Sequence, residues 1–214
     1  SLYTDVAVTS TGVVYAMLSE RTNDPAASSA SRGVWRSTDG ITWTNITPTG
    51  WPTSYSSIVI GIAPSNENIV YFVGETPGTG FHSTSPLGEE WHSFWKYTYQ
   101  SGDGSGIGGT WGNRSDNLPT FGSPVGDFVS YNSWTLVVKV KPDDADVVFI
   151  GGTNLYRSTD GFATTSNTTW IGGYSVVNNV SGYANHHPDQ QSLAFLPSDP
   201  SVLLSGHDGG ISVT

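Results

Sequence analysis

Three histidines and two aspartates flank one apolar run in the C-terminal quarter of the chain. His186, His187 and Asp189 precede an apolar run, and His207 and Asp208 follow it. Imidazole and carboxylate suit Zn or Mn, but this spacing matches no metal-ligand motif, and hydrogen-bonded loop histidines are the simpler expectation. Carboxylates alone offer a second chemistry. Glycosidic bond cleavage takes two of them flanking the bond, at a separation set by the mechanism. Glu89, Glu90, Asp103, Asp127, Asp189 and Asp208 are the candidates. An extended backbone sends the adjacent Glu89 and Glu90 to opposite faces, and a solvated loop end is expected for both. Asp189 and Asp208 sit at the edges of strand-like runs, where a ligand would meet them; turn capping is the structural alternative. Arg21, Arg32 and Arg114 are the arginines that could gather around a substrate carboxylate, whereas Arg36 and Arg157 occupy equivalent places in a repeat and read as structural.

Aromatic side chains can stack on sugar rings. Trp91, Trp95, Tyr97 and Tyr99 alternate along one strand, and packing between neighbouring sheets is the expected use of such a row. Loop aromatics are better binding candidates because loops carry function: Trp51, Phe121 and Phe128, with Phe81. Together with His187, Asp189 and Asp208, the first three make up the expected ligand-binding set; no catalytic set is assigned. The Gly-rich stretch 102–109 lacks the Lys and the strand-to-helix context of a phosphate loop.

What must position these residues is a repeat. Ser37-Thr38-Asp39-Gly40-Ile41-Thr42-Trp43 returns as Ser101-Gly102-Asp103-Gly104 with Thr110-Trp111 further on, and as Ser158-Thr159-Asp160-Gly161-Phe162. The interval is about 60 residues, which signals an array of supersecondary units. A Pro-containing turn recurs too: Ala63-Pro64-Ser65-Asn66, Lys141-Pro142-Asp143-Asp144 and Leu196-Pro197-Ser198-Asp199 each link two apolar runs. Every period reads as short β-branched and aromatic strands. Four-stranded units at this period predict an all-β fold, a β-propeller of antiparallel blades. The expected blades are 1–50, 51–120, 121–175 and an incomplete 176–214. About three and a half blades predict one partial propeller, with the rest of its own ring as a partner.

Composition agrees. The 214 residues include 26 Gly, 12 Pro and 8 Trp, with 12% charged residues, too few for long amphipathic helices. A net charge of -10 disfavours nucleic acid and anionic lipid as partners. No apolar run approaches the roughly 20 residues that span a bilayer, so direct membrane insertion is not expected. There is no cysteine, hence no disulfide or thiolate site. Calcium would suit the acidic turns, although no EF-hand ligand order is present; no other cofactor is expected.

At the repeated box the chain resembles the Asp-box family, also called bacterial neuraminidase repeats, whose pattern is Ser/Thr-x-Asp-x-Gly-x-Thr-Trp. Ser37, Asp39, Thr42 and Trp43 match, though Gly40 follows the Asp directly; Ser158, Asp160 and Gly161 match with a weaker tail. Sialidases, xyloglucan hydrolases, sortilin-type receptors and many exported proteins share the repeat. The resemblance implies a propeller whose boxes (Ser37, Asp39, Gly40, Trp43, Ser101, Asp103, Trp111, Ser158, Asp160 and Gly161 here) are structural and lie away from the channel. It also implies an exported or bacterial cell-surface protein. The expected role is a non-catalytic scaffold for adhesion or recognition of carbohydrate or protein. A glycoside hydrolase and a component of a surface assembly are the alternatives.

Overall fold

The computed structural model describes residues 4–19, 31–85, 88–122, 125–174 and 186–213. Each repeat folds into one antiparallel sheet, and four sheets stand as the blades of a β-propeller. Blade 1 is β1 (Thr4–Val8), β2 (Val14–Leu18), β3 (Gly33–Ser37) and β4 (Thr44–Asn45), in that order across the sheet. Blade 2 runs β5 (Ile58–Ile62), β6 (Ile69–Glu75) and β8 (Gly88–Tyr99), and both β7 (Phe81–Ser85) and β9 (Gly109–Asn113) pair with the far edge of β8. Blade 3 is β10 (Val137–Lys141), β11 (Asp144–Gly151), β12 (Leu155–Ser158) and β13 (Thr168–Gly172). Blade 4 is β14 (Gln190–Leu196), β15 (Asp199–His207) and β16 (Gly210–Val213).

The innermost strands β1, β5, β10 and β14 pack side by side in that order, whereas β14 and β1 share no contact of that extent. Side chains alternate across each strand, so one sheet serves two joints. On β8, Trp95 and Tyr97 turn toward blade 1 and pack with Tyr15, Met17 and Trp51. Phe94 turns the other way, among Tyr71, Ile150 and Phe162. Phe149, Leu203 and Phe195 fill the joint between blades 3 and 4. Each fully buried large apolar side chain contributes about 1.5–3 kcal/mol. Polar links cross the joints as well: Lys96 Nζ lies 2.9 Å from Asp146 Oδ1, and the Tyr71 hydroxyl donates to the Ala145 carbonyl at 3.0 Å.

Two expectations need correction. Blade 2 carries an extra strand, β7, because Phe81–Ser85 continues the edge of β8 past the end of β6. As a result Glu90 is not at a solvated loop end. It lies inside β8 and is 1% exposed, while its neighbour Glu89 faces solvent on the opposite side.

All four inner strands run the same way, so the propeller has two different ends. The boxes and the Pro turns lie where the inner strands finish. In the first box the Ser37 hydroxyl donates to Asp39 Oδ1 at 3.0 Å, and the same oxygen accepts the N–H groups of Ile41 and Thr42 at 2.8 and 2.7 Å. Those two backbone bonds lead in holding the Asp39 carboxyl down to about 2. The third box is more heavily bonded. Asp160 accepts from Ser158, Ala163, Thr164 and Asn167. Burial pushes its pKa up, but the side-chain bonds from Asn167, Thr164 and Ser158 and the Ala163 N–H outweigh that and bring it to about 2. The second box differs: Asp103 bonds the N–H and hydroxyl of Ser105, and Ser101 bonds through its backbone, accepting from the Gly104 N–H and donating to the Gly108 carbonyl. Trp111 packs on Phe72 and Tyr97, while Trp43 remains exposed. We therefore expect Asp160→Ala to lose about 1–3 kcal/mol in urea denaturation, from several charge-assisted bonds broken together. Asp103→Ala should lose less, with one local turn affected.

Candidate functional site

The opposite end, where the inner strands begin, is built from the long connections. Its hub is the Gly152-Thr153 corner after β11. The Thr153 N–H donates to the Val129 carbonyl at 2.9 Å, the Asp189 N–H donates to the Thr153 carbonyl at 2.8 Å, and the Gln190 N–H donates to the Gly152 carbonyl at 2.9 Å. One corner thereby ties the 128–135 connection and the entry of blade 4 to blade 3.

The residues held by this corner form the mouth between blades 3 and 4. Tyr131 and Asp189 both occupy left-handed backbone, at φ 50° and 66°, and Asn132 and Ser133 continue that run. Such conformations in non-glycine residues concentrate at functional sites. Burial raises the Tyr131 phenol pKa, and neighbouring Tyr174 and Asp189 raise it further. Tyr174 is placed by its own N–H, which donates to Asn154 Oδ1 at 2.7 Å. Asp189 Oδ1 is buried without a hydrogen-bond partner. Burial first, then the nearby Asp208 carboxylate, raises the Asp189 pKa. Asp208, on the exposed turn between β15 and β16, accepts from Gln191 Nε2 at 3.4 Å.

The histidines line the same rim; each has a ring nitrogen engaged, in different directions, while His207 Nδ1 is buried without a partner. His186 Nδ1 accepts the Gly173 N–H at 3.1 Å, which leaves Nε2–H facing Ser205 Oγ at 3.3 Å. Its ring lies flat against Gly172, where a Cβ would come within 2.5 Å of the imidazole. His207 Nε2 meets Ser212 Oγ at 2.8 Å, and His187 Nδ1 faces the Pro188 carbonyl at 3.1 Å. Burial, then the charge His207 would carry, lowers the His186 pKa to about 4. Among the described residues, no three His, Asp or Glu side chains converge as metal ligands would.

A second polar cluster, mostly buried, lies between β8 and the 128–135 connection. Ser130 Oγ sits 2.7 Å from His92 Nε2, and Glu90 Oε2 accepts the Ser130 N–H at 2.9 Å. Ser56 and Ser133 hydroxyls both donate to Glu75 Oε2. Serine, histidine and glutamate suggest a nucleophile relay, but a relay needs the acid at the imidazole nitrogen away from the serine. Here Glu90 also lies on the Nε2 side, at 3.5 Å, and His92 Nδ1 has no partner. Ser130 and His92 are fully buried. The cluster anchors the connection that carries Tyr131.

The other sequence-predicted residues separate clearly. Trp51 is buried among Tyr55, Phe72, Trp95 and Trp111, and Phe128 is buried against His92 and Tyr156. Neither can stack on a ligand without opening the core, which corrects the expectation for both. Phe121 stays exposed, its ring parallel to Tyr156 at 6.0 Å. Arg114 Nη1 donates to the carbonyls of Asp160 and Gly161 at 3.1 and 2.6 Å, fixing it to the third box rather than to a ligand. Arg36 lies over the Tyr99 ring at 4.2 Å, Arg32 over Tyr55 at 5.9 Å, and Arg21 falls outside the described residues. Sequence reasoning missed Tyr131, Tyr174 and Trp134. β10 starts at Val137, and Trp134 is exposed in the turn before it. The polar tetrapeptide Ser130-Tyr131-Asn132-Ser133 was the available signal for that turn.

No protein-family model matches the chain, and no curated protein matches it.

Proposed function

We propose that the chain is a recognition scaffold of the Asp-box propeller class, exported to a bacterial surface, which binds carbohydrate at the mouth between blades 3 and 4. The box hydrogen bonding and the Asn/Ser/Thr/Gly-rich, acidic, cysteine-free composition support the class and the location. The observation that carries the ligand reading is the convergence of Tyr131, Tyr174 and Asp189. The Tyr131 phenol has Tyr174 and Asp189 as neighbours, Asp189 holds a buried carboxylate oxygen that lacks a partner, and Tyr131 and Asp189 both stand on backbone in a sparsely populated conformation. Aromatic faces and a carboxylate acceptor are what a sugar ring and its hydroxyls require.

Glycan-array binding of the purified chain tests this reading, together with Asp189→Asn. The variant should lose at least tenfold in affinity. It should also be more stable than the parent at neutral pH, because the fold disfavours the charged carboxylate there. The gain in Tm should vanish once the pH drops below the raised pKa and the parent's Asp189 is itself neutral. Unchanged binding by Asp189→Asn, or no glycan binding by the parent, rejects the site.

One observation favours a glycoside hydrolase as second reading: Asp189 has its proton affinity raised beside the exposed carboxylate of Asp208, the pairing of acid and base that such chemistry uses. Release of reducing ends by the parent, lost in both Asp189→Asn and Asp208→Asn, would establish it over the scaffold.

A further inference from the structure

The two terminal blades expose apolar sheet faces that are the two halves of a joint already present in the molecule. On blade 1 the register aligns Val6 with Ala16 and Trp35, and Val8 with Val14, on the face turned away from blade 2. Val6 and Val8 are 58% and 59% exposed. On blade 4 it aligns Ala194 with Leu204 and Val213, and Ser192 with Gly206 and Ile211, on the face turned away from blade 3. Ile211 and Val213 are 74% and 63% exposed. Apolar groups in such rows mark interaction surfaces.

The joint between blades 2 and 3 shows how such faces fit. Gly61, in the middle of β5, receives the two β-branched side chains of the next inner strand: a Cβ there would stand 3.1 Å from Val138 and 3.6 Å from Val140. Counted back from the Pro turns, Ala194 holds the place of Gly61, and counted along the inner strands Val6 and Val8 hold the places of Ile60 and Ile62, the counterparts of Val138 and Val140. The small residue that accepts is therefore open on blade 4, and the branched pair that inserts is open on blade 1.

We propose that copies of this chain associate head to tail, with Val6 and Val8 of one copy seated over Ala194, Leu204 and Val213 of the next, continuing the blade-to-blade joint across the molecular boundary. The contact is heterologous, so two or more copies close into a ring or extend as an open array.

Sedimentation of the purified chain over a concentration series tests the proposal. The parent should reach at least dimer mass, whereas Val6→Lys/Val8→Lys and, separately, Ile211→Lys/Val213→Lys should each sediment as a monomer with unchanged circular dichroism. The decisive step is mixing. The first variant keeps a sound blade 4 face and the second a sound blade 1 face, so an equimolar mixture should recover a dimer that neither forms alone. A parent that remains monomeric at every concentration overturns the proposal and leaves these faces to another partner, such as further blades of a longer polypeptide. Association that survives in either variant alone overturns it too, because it would mean like faces pairing with like.

Discussion

Gly152→Ala is expected to lower stability by about 2–4 kcal/mol, roughly 5–15 °C in Tm for a chain of this size, and to weaken the glycan binding proposed for the mouth at the same time. A Cβ at this position would lie 2.0 Å from the Val129 carbonyl oxygen and 3.4 Å from the Phe128 ring. The obstacle is backbone, so no rotamer change relieves it. Either β11 or the 128–135 connection must move, and with it go the Thr153 bond to Val129 and the placement of Tyr131 and Asp189. Thermal unfolding and glycan binding measured on one preparation check both parts. A variant with parental Tm would show that the corner does not hold the connection.

The second large effect is a loss of stability in acid that begins before the carboxylates titrate. Burial alone lowers the His92 pKa from 6.5 to about 3. His186 is lowered to about 4, by burial first. A histidine whose folded pKa is depressed leaves the fold at full strength above 6.5. As the pH falls below that value the unfolded chain gains a proton that the folded chain refuses. The loss then continues down to the folded pKa. For His92 the slope is about 1.4 kcal/mol per pH unit across that window. His186 adds a smaller amount, discounted because water reaches it. The box aspartates act later and in the same direction. Asp39 and Asp160, held at about 2 against a usual 3.8, release their stabilisation only as the pH falls from 3.8 toward 2. Urea denaturation at stepped pH should therefore show two descending segments. His92→Gln should flatten the upper one and leave the lower one in place. An unchanged upper slope in that variant would assign the acid loss to other groups.

The blades were legible in the sequence because each is a local event: a Pro turn, a β-branched run and a Ser-x-Asp-Gly box announce themselves within a few residues. The aromatic row on β8 was legible for the same reason, since alternation along one strand is local too. The mouth was only half legible. Asp189 and Asp208 lie at strand edges that periodicity marks. Tyr131 is brought to Asp189 through the Gly152-Thr153 corner, a tertiary arrangement with no local pattern, and Tyr174 is set near Tyr131 by its bond to Asn154. The same limit explains the errors. Trp51 and Phe128 occupy connections, and nothing local shows that these connections fold inward over the ends of the sheets. Glu90 was misplaced because β7 pairs with β8 beyond β6, an insertion that breaks the repeat.

The propeller keeps its fastenings at one end and the ligand candidates of the mouth at the other. The boxes and Pro turns that clamp the sheets never border Tyr131, Asp189 or the histidine rim. A lineage could therefore rewrite the connections at the mouth, residue by residue, and acquire a new specificity while the clamps inherited from its ancestor stayed as they were. Selection on what is bound and selection on how the chain holds together act on separate stretches of the same gene.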